Sequence, residues 1–218
     1  GHPERRKRTN TGIGMNEPAD RKITCYSDGE GEFMRQSQEL RGRWLRPLLV
    51  GLERLRCRPG HLTFLSLLAG LAFCPVFLQG SRLAALGLLL LHVLLDGLDG
   101  PLARHLGRAS NRGSFTDTMA DQVVVTFSTL TLIHAGLAGL WPGAMYLFFY
   151  TVVVLFAMAR NALAIPYSWL VRPRFFVFTC IPVELYLWPG SLNLLLWIVA
   201  ALLAWKTLTG FVKIRRKL

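Results

Sequence analysis

RLAALGLLLLHVLLDGLDGPLARHLGRASNRGSFTDTMAD, residues 82–121, decides how the rest of the chain is read. It opens as an apolar run over 82–102, and about 20 such residues suffice to cross the hydrocarbon core of a bilayer. Asp96 and Asp99 stand at the end of that run. On a helix of about 3.6 residues per turn they share a face, and Gly100 and Ala103 fall on it too. A second apolar run begins near residue 116 and carries Asp117 and Asp121, four apart and also on one face. Gly113 sits one turn earlier on that side. Two adjacent antiparallel helices therefore point four carboxylates into one gap, with small residues leaving room for a ligand to approach the backbone.

Unpaired acids in such a place are expensive, about 2.5–3.5 kcal/mol each near mid-membrane and less toward the interface. Hard divalent cations would remove the repulsion between them. All-oxygen ligation favours Mg²⁺ or Mn²⁺ over zinc. Four acids suffice for two ions, and a two-ion site suits an in-line displacement at phosphorus, where it clamps a pyrophosphate.

The surrounding chain supports a membrane setting. Its 218 residues are 52% hydrophobic and 17% charged, against about 25% charged in an ordinary soluble domain. Beyond residue 58 there are five acids, Asp96, Asp99, Asp117, Asp121 and Glu184. Six hydrophobic segments are expected as spans, over 62–79, 82–102, 116–137, 142–166, 174–188 and 190–212. With the N-terminus in the cytosol, 22 basic residues fall inside and Arg82 alone falls in an outer turn, a division that predicts both termini cytosolic. The membrane is then a bacterial-type inner membrane or an equivalent one facing the cytosol.

Residues 1–37 are polar and are expected to form a disordered cytosolic tail, with no signal peptide. Over 38–58 an apolar stripe of Trp44, Leu48, Leu52 and Leu55, with Leu45 and Leu49 beside it, runs among arginines, which predicts an amphipathic helix at the membrane interface. The expected fold is thus an all-α membrane protein, with that helix preceding a six-span domain over 59–218. The net charge of +12 comes without a nucleic-acid recognition motif, so anionic lipid is the expected partner and nucleic acid is not. Cys25, Cys57, Cys74 and Cys180 show neither disulfide-framework nor zinc spacing.

The decisive stretch resembles the CDP-alcohol phosphotransferase family, whose signature is D-x2-D-G-x2-A-R-x8-G-x3-D-x3-D. Asp96, Asp99, Gly100, Ala103, Arg104, Gly113, Asp117 and Asp121 occupy its fixed positions. The resemblance implies a CDP-linked lipid or alcohol as donor and CMP as leaving group. It implies Asp96, Asp99, Asp117 and Asp121 as metal ligands for Mg²⁺ or Mn²⁺, with Asp121 also the general base on the acceptor hydroxyl. Gly100, Ala103, Arg104 and Gly113 are implied as donor contacts, with Ser110 in the inter-helix loop. Pro59-Gly60-His61-Leu62-Thr63 is similar to the family's Pro-Asn-x-x-Thr entry, although Gly60 departs from the usual Asn or Asp; Thr63 joins the donor contacts. Members of the family often resemble homodimers.

The signature leaves the acceptor open. Ala159-Arg160-Asn161, Arg172 with Arg174, and Val199 to Trp205 resemble the branch that makes phosphatidylglycerol phosphate. Arg160, Arg172 and Arg174 would then bind the phosphate of the acceptor, with glycerol 3-phosphate expected and CDP-diacylglycerol as donor. Glu184 fits equally a partner for Arg160 and a polar contact between helices. One alternative is transfer from CDP-choline or CDP-ethanolamine to diacylglycerol. Another is a transporter or ion-binding protein, which leaves Gly100, Ala103, Arg104 and Gly113 unexplained.

Overall fold

A computed structural model describes residues 45–162 and 172–216. The expected tail over 1–37, Trp44 and the connection over 163–171 lie outside the described residues. Within them the chain is all helical. α1 covers 45–54, and six further helices follow: α2 (Pro59–Leu78), α3 (Arg82–His105), α4 (Asn111–His134), α5 (Leu140–Ala162), α6 (Pro173–Tyr186) and α7 (Ser191–Arg215).

Each expected segment is a helix, but only some satisfy a length and hydropathy test for spanning. Four of the described helices do, namely α2, α3, α5 and α7. α4 is long enough but too polar, because Arg112, Asp117, Asp121, Gln122 and a series of threonines dilute its apolar residues. α6 has 14 residues, so it rises about 21 Å, well short of a hydrocarbon core of about 30 Å. The helices present bulky apolar side chains outward, among them Leu90, Leu94, Phe148, Leu155, Trp197 and Leu202. Outward faces of this kind fit lipid rather than water, and the chain is that of a multi-pass membrane protein.

The bundle has two closely packed groups. α2 packs against α3 and α4, α7 packs against α5 and α6, and α4 meets α5. A continuous core joins them, running from Phe73 and Phe77 through Val124 and Leu132 to Tyr146, Ile181 and Leu196. Gly70 brings α2 unusually near α4: a Cβ there would stand 2.6 Å from both methyls of Val124.

α1 sits on the α2–α3 pair. Leu49 is buried with Leu62 and Leu102, and Leu45, Leu52 and Cys57 pack beside them. The buried stripe is therefore Leu45, Leu49 and Leu52, while Leu48 and Leu55 face outward. Glu53 binds His105 at 3.0 Å, tying α1 to the end of α3. α1 closes through bonds from Arg56 N–H to the Glu53 carbonyl and from Cys57 N–H to the Leu52 carbonyl, with Arg56 left-handed at φ 55°. The same closure ends α3, where Gly107 takes the left-handed position and Arg108 N–H donates to the Ala103 carbonyl at 2.8 Å.

Candidate active site

The site is built at the end of α3, the start of α4 and the start of α6. Asp96 and Asp99 are buried on α3, one turn apart, as the spacing requires. Asp117, partly buried on the second turn of α4, faces them. One carboxylate oxygen from each of the three lies within 4.8 Å of the others. The donor set is all oxygen and drawn from two helices, which fits a hard divalent ion.

Asp121 is on the expected face of α4 but stands outside that tight group. Its carboxylate is engaged by Nη1 of Arg174. The same guanidinium donates through Nη2 to Asp96 Oδ2 at 2.6 Å. Arg174 is thus a bridge between an α3 acid and an α4 acid, and it is almost fully enclosed at 2% exposure. Phe175 lies beneath the guanidinium, 5.0 Å from ring centroid to Cζ. Arg172, at the cap of α6 and half exposed, reaches to 3.8 Å from Asp96 Oδ2. Pro173 at the first position of α6 stands between them, where its missing N–H costs nothing. Sequence reasoning singled out both arginines but gave no sign that they pair with the acids, since 78 residues separate Arg174 from Asp96.

The other expected residues sort by what they touch. Thr63 on α2 donates its hydroxyl to Asp99 Oδ2 at 2.8 Å, so it orients a carboxylate. Arg104 is exposed on the last turn of α3 and folds back along its own helix: a Cβ on Gly100 would be 3.5 Å from its Nη1. Ala103 is half-buried beside them. Ser110 is the N-cap of α4, its oxygen accepting from Gly113 N–H at 3.1 Å, so the two residues form one local structure. Arg160 is buried near the end of α5.

Glu184 is not available to Arg160. It lies at the other end of α6, where its carboxylate accepts from Gly190 N–H at 2.8 Å, Leu192 N–H at 2.7 Å and the Ser191 hydroxyl at 3.1 Å. It caps the start of α7, whose first amide groups lack helical partners. The pairing with Arg160 fails because a carboxylate with three donors at hand needs no distant arginine.

Comparison with known proteins follows the same lines. A family model described as CDP-alcohol phosphatidyltransferase matches residues 56–209. The CDP-diacylglycerol–serine O-phosphatidyltransferase of Mycobacterium leprae is 35% identical over 120 residues, which is 54% of this chain and 40% of that protein. The archaetidylinositol phosphate synthase of Aeropyrum pernix is 34% identical over 116 residues, 53% of each chain. The chain spans about half the length of such relatives, or less. A crystal structure of Mycobacterium tuberculosis phosphatidylinositol phosphate synthase with CDP-DAG bound superposes with a TM-score of 0.67 at 21% identity, covering 79% of this chain and 94% of that one. The same protein in complex with manganese and citrate gives a TM-score of 0.65 at 21% identity, covering 77% and 87%. At that identity the likeness establishes a shared fold.

Proposed function

The chain belongs to the CDP-alcohol phosphatidyltransferase family, and from that premise we propose that it transfers a phosphatidyl group from CDP-diacylglycerol to the hydroxyl of a small polar alcohol, releasing CMP. The observation that carries this reading is the cluster of Asp96, Asp99 and Asp117, three carboxylates drawn together from two helices where intramembrane acids are scarce.

In this reading Asp96, Asp99, Asp117 and Asp121 hold two ions of Mg²⁺ or Mn²⁺. Manganese accompanies a protein of the same fold, and the donor set here is of the right kind. When bound, the ions supply charge neutralisation at the pyrophosphate. The chain's own residues do the rest. Arg104 grips a donor phosphate by paired charge-assisted hydrogen bonds. Gly100, Ala103 and Gly113 allow the nucleotide to lie against the backbone, and Ser110 and Thr63 complete the donor contacts. Asp121 accepts the proton of the acceptor hydroxyl as its oxygen attacks the phosphorus that bears diacylglycerol. The bond from that phosphorus to the bridging oxygen breaks, and CMP carries the electron pair away.

Half-exposed Arg172 supports an acceptor side with a positive edge beside Asp96, while Arg174, enclosed between Asp96 and Asp121, stands behind it. An anionic acceptor suits that edge, with Arg160 contributing from α5, and glycerol 3-phosphate is the expected substrate. Serine and an inositol phosphate are the competing acceptors, because relatives and fold neighbours carry those names. Both termini are assigned to the cytosol on the charge division.

Purified protein supplied with Mn²⁺ and CDP-diacylglycerol should release CMP only when the right alcohol is added. Glycerol 3-phosphate, inositol phosphate, serine and diacylglycerol with CDP-choline form the panel. Release with none of them would overturn the reaction, and release with serine alone would overturn the phosphate-bearing acceptor.

A further inference from the structure

One buried titratable side chain lies just beneath the acids and has no part in the chemistry above. His92 is on α3, one turn before Asp96, and is 2% exposed. Its Nδ1 lies 2.8 Å from Ser66 Oγ and 3.1 Å from the Ser66 carbonyl oxygen, while Ser66 Oγ lies 3.1 Å from the His92 carbonyl oxygen. A hydroxyl has one proton to give. All three contacts are satisfied together when Ser66 O–H donates to the His92 carbonyl and Nδ1–H donates to the Ser66 oxygens. That assignment makes His92 the Nδ1–H tautomer.

The far side of the ring meets α6. His92 and Phe178 are edge to face, with centroids 5.9 Å apart at 75°. Phe178 is one turn along α6 from Arg174, just as His92 is one turn along α3 from Asp96. The two helices run antiparallel, so Asp96–Arg174 and His92–Phe178 are successive rungs between them. α3 and α6 are not one of the closely packed helix pairs. Their separation near the acids therefore rests on side chains: Arg174 is tied to α4 through Asp121, and His92 is tied to α2 through Ser66. Thr63, one turn earlier on α2, anchors Asp99 in the same manner.

We propose that Ser66 and His92 are positioning residues: the hydrogen-bonded bracket between α2 and α3 fixes where α6 stands, and so holds Arg174 between Asp96 and Asp121. This inference takes its catalytic meaning from the reaction proposed above, but its geometry is read without turnover.

Two spectroscopic readouts test the geometry in protein labelled with ¹⁵N-histidine and ¹⁵N-arginine. Wild-type His92 should show protonated Nδ1 and bare Nε2, the signal being identified by its loss in His92→Asn. Ser66→Ala should abolish that preference and broaden the Arg174 guanidinium signals, identified by their loss in Arg174→Lys. Ser66→Thr, which keeps the hydroxyl, should restore both. In kinetics, Ser66→Ala should raise the acceptor KM about tenfold, the scale of one buried hydrogen bond, and leave the KM for CDP-diacylglycerol within about twofold. An Nε2–H tautomer in the wild type, or Arg174 signals indifferent to Ser66→Ala, would overturn the bracket. Equal losses in both KM values and kcat, not rescued by threonine, would reduce it to general packing and overturn the positioning role. Wild-type protein with the predicted tautomer and no CMP release would count against the transfer reaction and not against the bracket.

Discussion

Arg174 shows how much of the site depends on one side chain. It is enclosed, and its two amino nitrogens serve acids from different helices. Removing one partner of a buried ion pair costs about 3–5 kcal/mol, because the other charge is left uncompensated. Arg174→Ala should therefore lower the unfolding temperature in detergent, and millimolar Mn²⁺ should recover part of the loss by neutralising the same acids. Thermal unfolding with and without the ion measures this. Asp121→Asn keeps the size of the side chain and removes the base proposed above, so CMP release should fall by about 10²–10⁴. An initial-rate assay that finds the wild-type rate would sink the assignment. Thr63→Val removes the hydroxyl that orients Asp99. Supporting contacts of this kind change metal affinity about 10–100-fold, so a titration of activity against Mn²⁺ should shift to higher concentration by that order. At this scale spacing made the shared faces of 96/99 and 117/121 legible, and it did not show that Asp121 stands outside the group formed by the other three. The bridge from Arg174 was not legible, because no local pattern relates α6 to α3.

Among the elements, α2 is the frame against which the acid-bearing helices are set. It holds α3 through Thr63 and Ser66 and lets α4 approach through Gly70. Gly70→Ala would drive a methyl into Val124, and overpacking of this kind costs about 1–3 kcal/mol. The variant should lose thermal stability and metal-dependent activity together, and Val124→Ala should rescue it in the double variant. Helix positions were readable because apolar runs are broken at glycine and proline: the Pro189-Gly190 break ends in Gly190, the cap of α7. α1 carries apolar residues on two faces, one turned outward and one buried on α2 and α3. Leu45, Leu49 and Leu52 make one stripe and Leu48, Leu52 and Leu55 another, and a sequence rich in leucine fits either. Only the α2–α3 surface chooses between them. For Glu184 the sequence left pairing with Arg160 and a polar helix contact equally open, because capping of a following helix depends on a turn that periodicity does not describe.

For the whole molecule, the charge division is the strongest prediction of topology, and reporter fusions or cysteine labelling at the two ends should find both on the cytosolic side. Hydrophobic runs gave six segments, and within the described residues each is a helix, although α4 and α6 fail the spanning test. The failure lies in the polar residues of α4 and the shortness of α6. Asp117 and Asp121, proposed above as metal ligands, and Gln122, which bonds Thr151 on α5, are among the residues that make α4 too polar to insert alone. A reporter that measures insertion of single segments should therefore find α3 inserting and α4 remaining outside unless α2 and α3 precede it.

The shortness of α6 reaches beyond the protein into the lipid around it. Its 14 residues leave about 9 Å of hydrocarbon thickness unspanned. A bilayer answers such a mismatch by thinning beside the short element or admitting water over its end. Arg172 and Arg174 mark that end, level with the acids. A bilayer thinned there would let a dissolved alcohol and a donor anchored by acyl chains, the substrates proposed above, meet without either leaving its own phase.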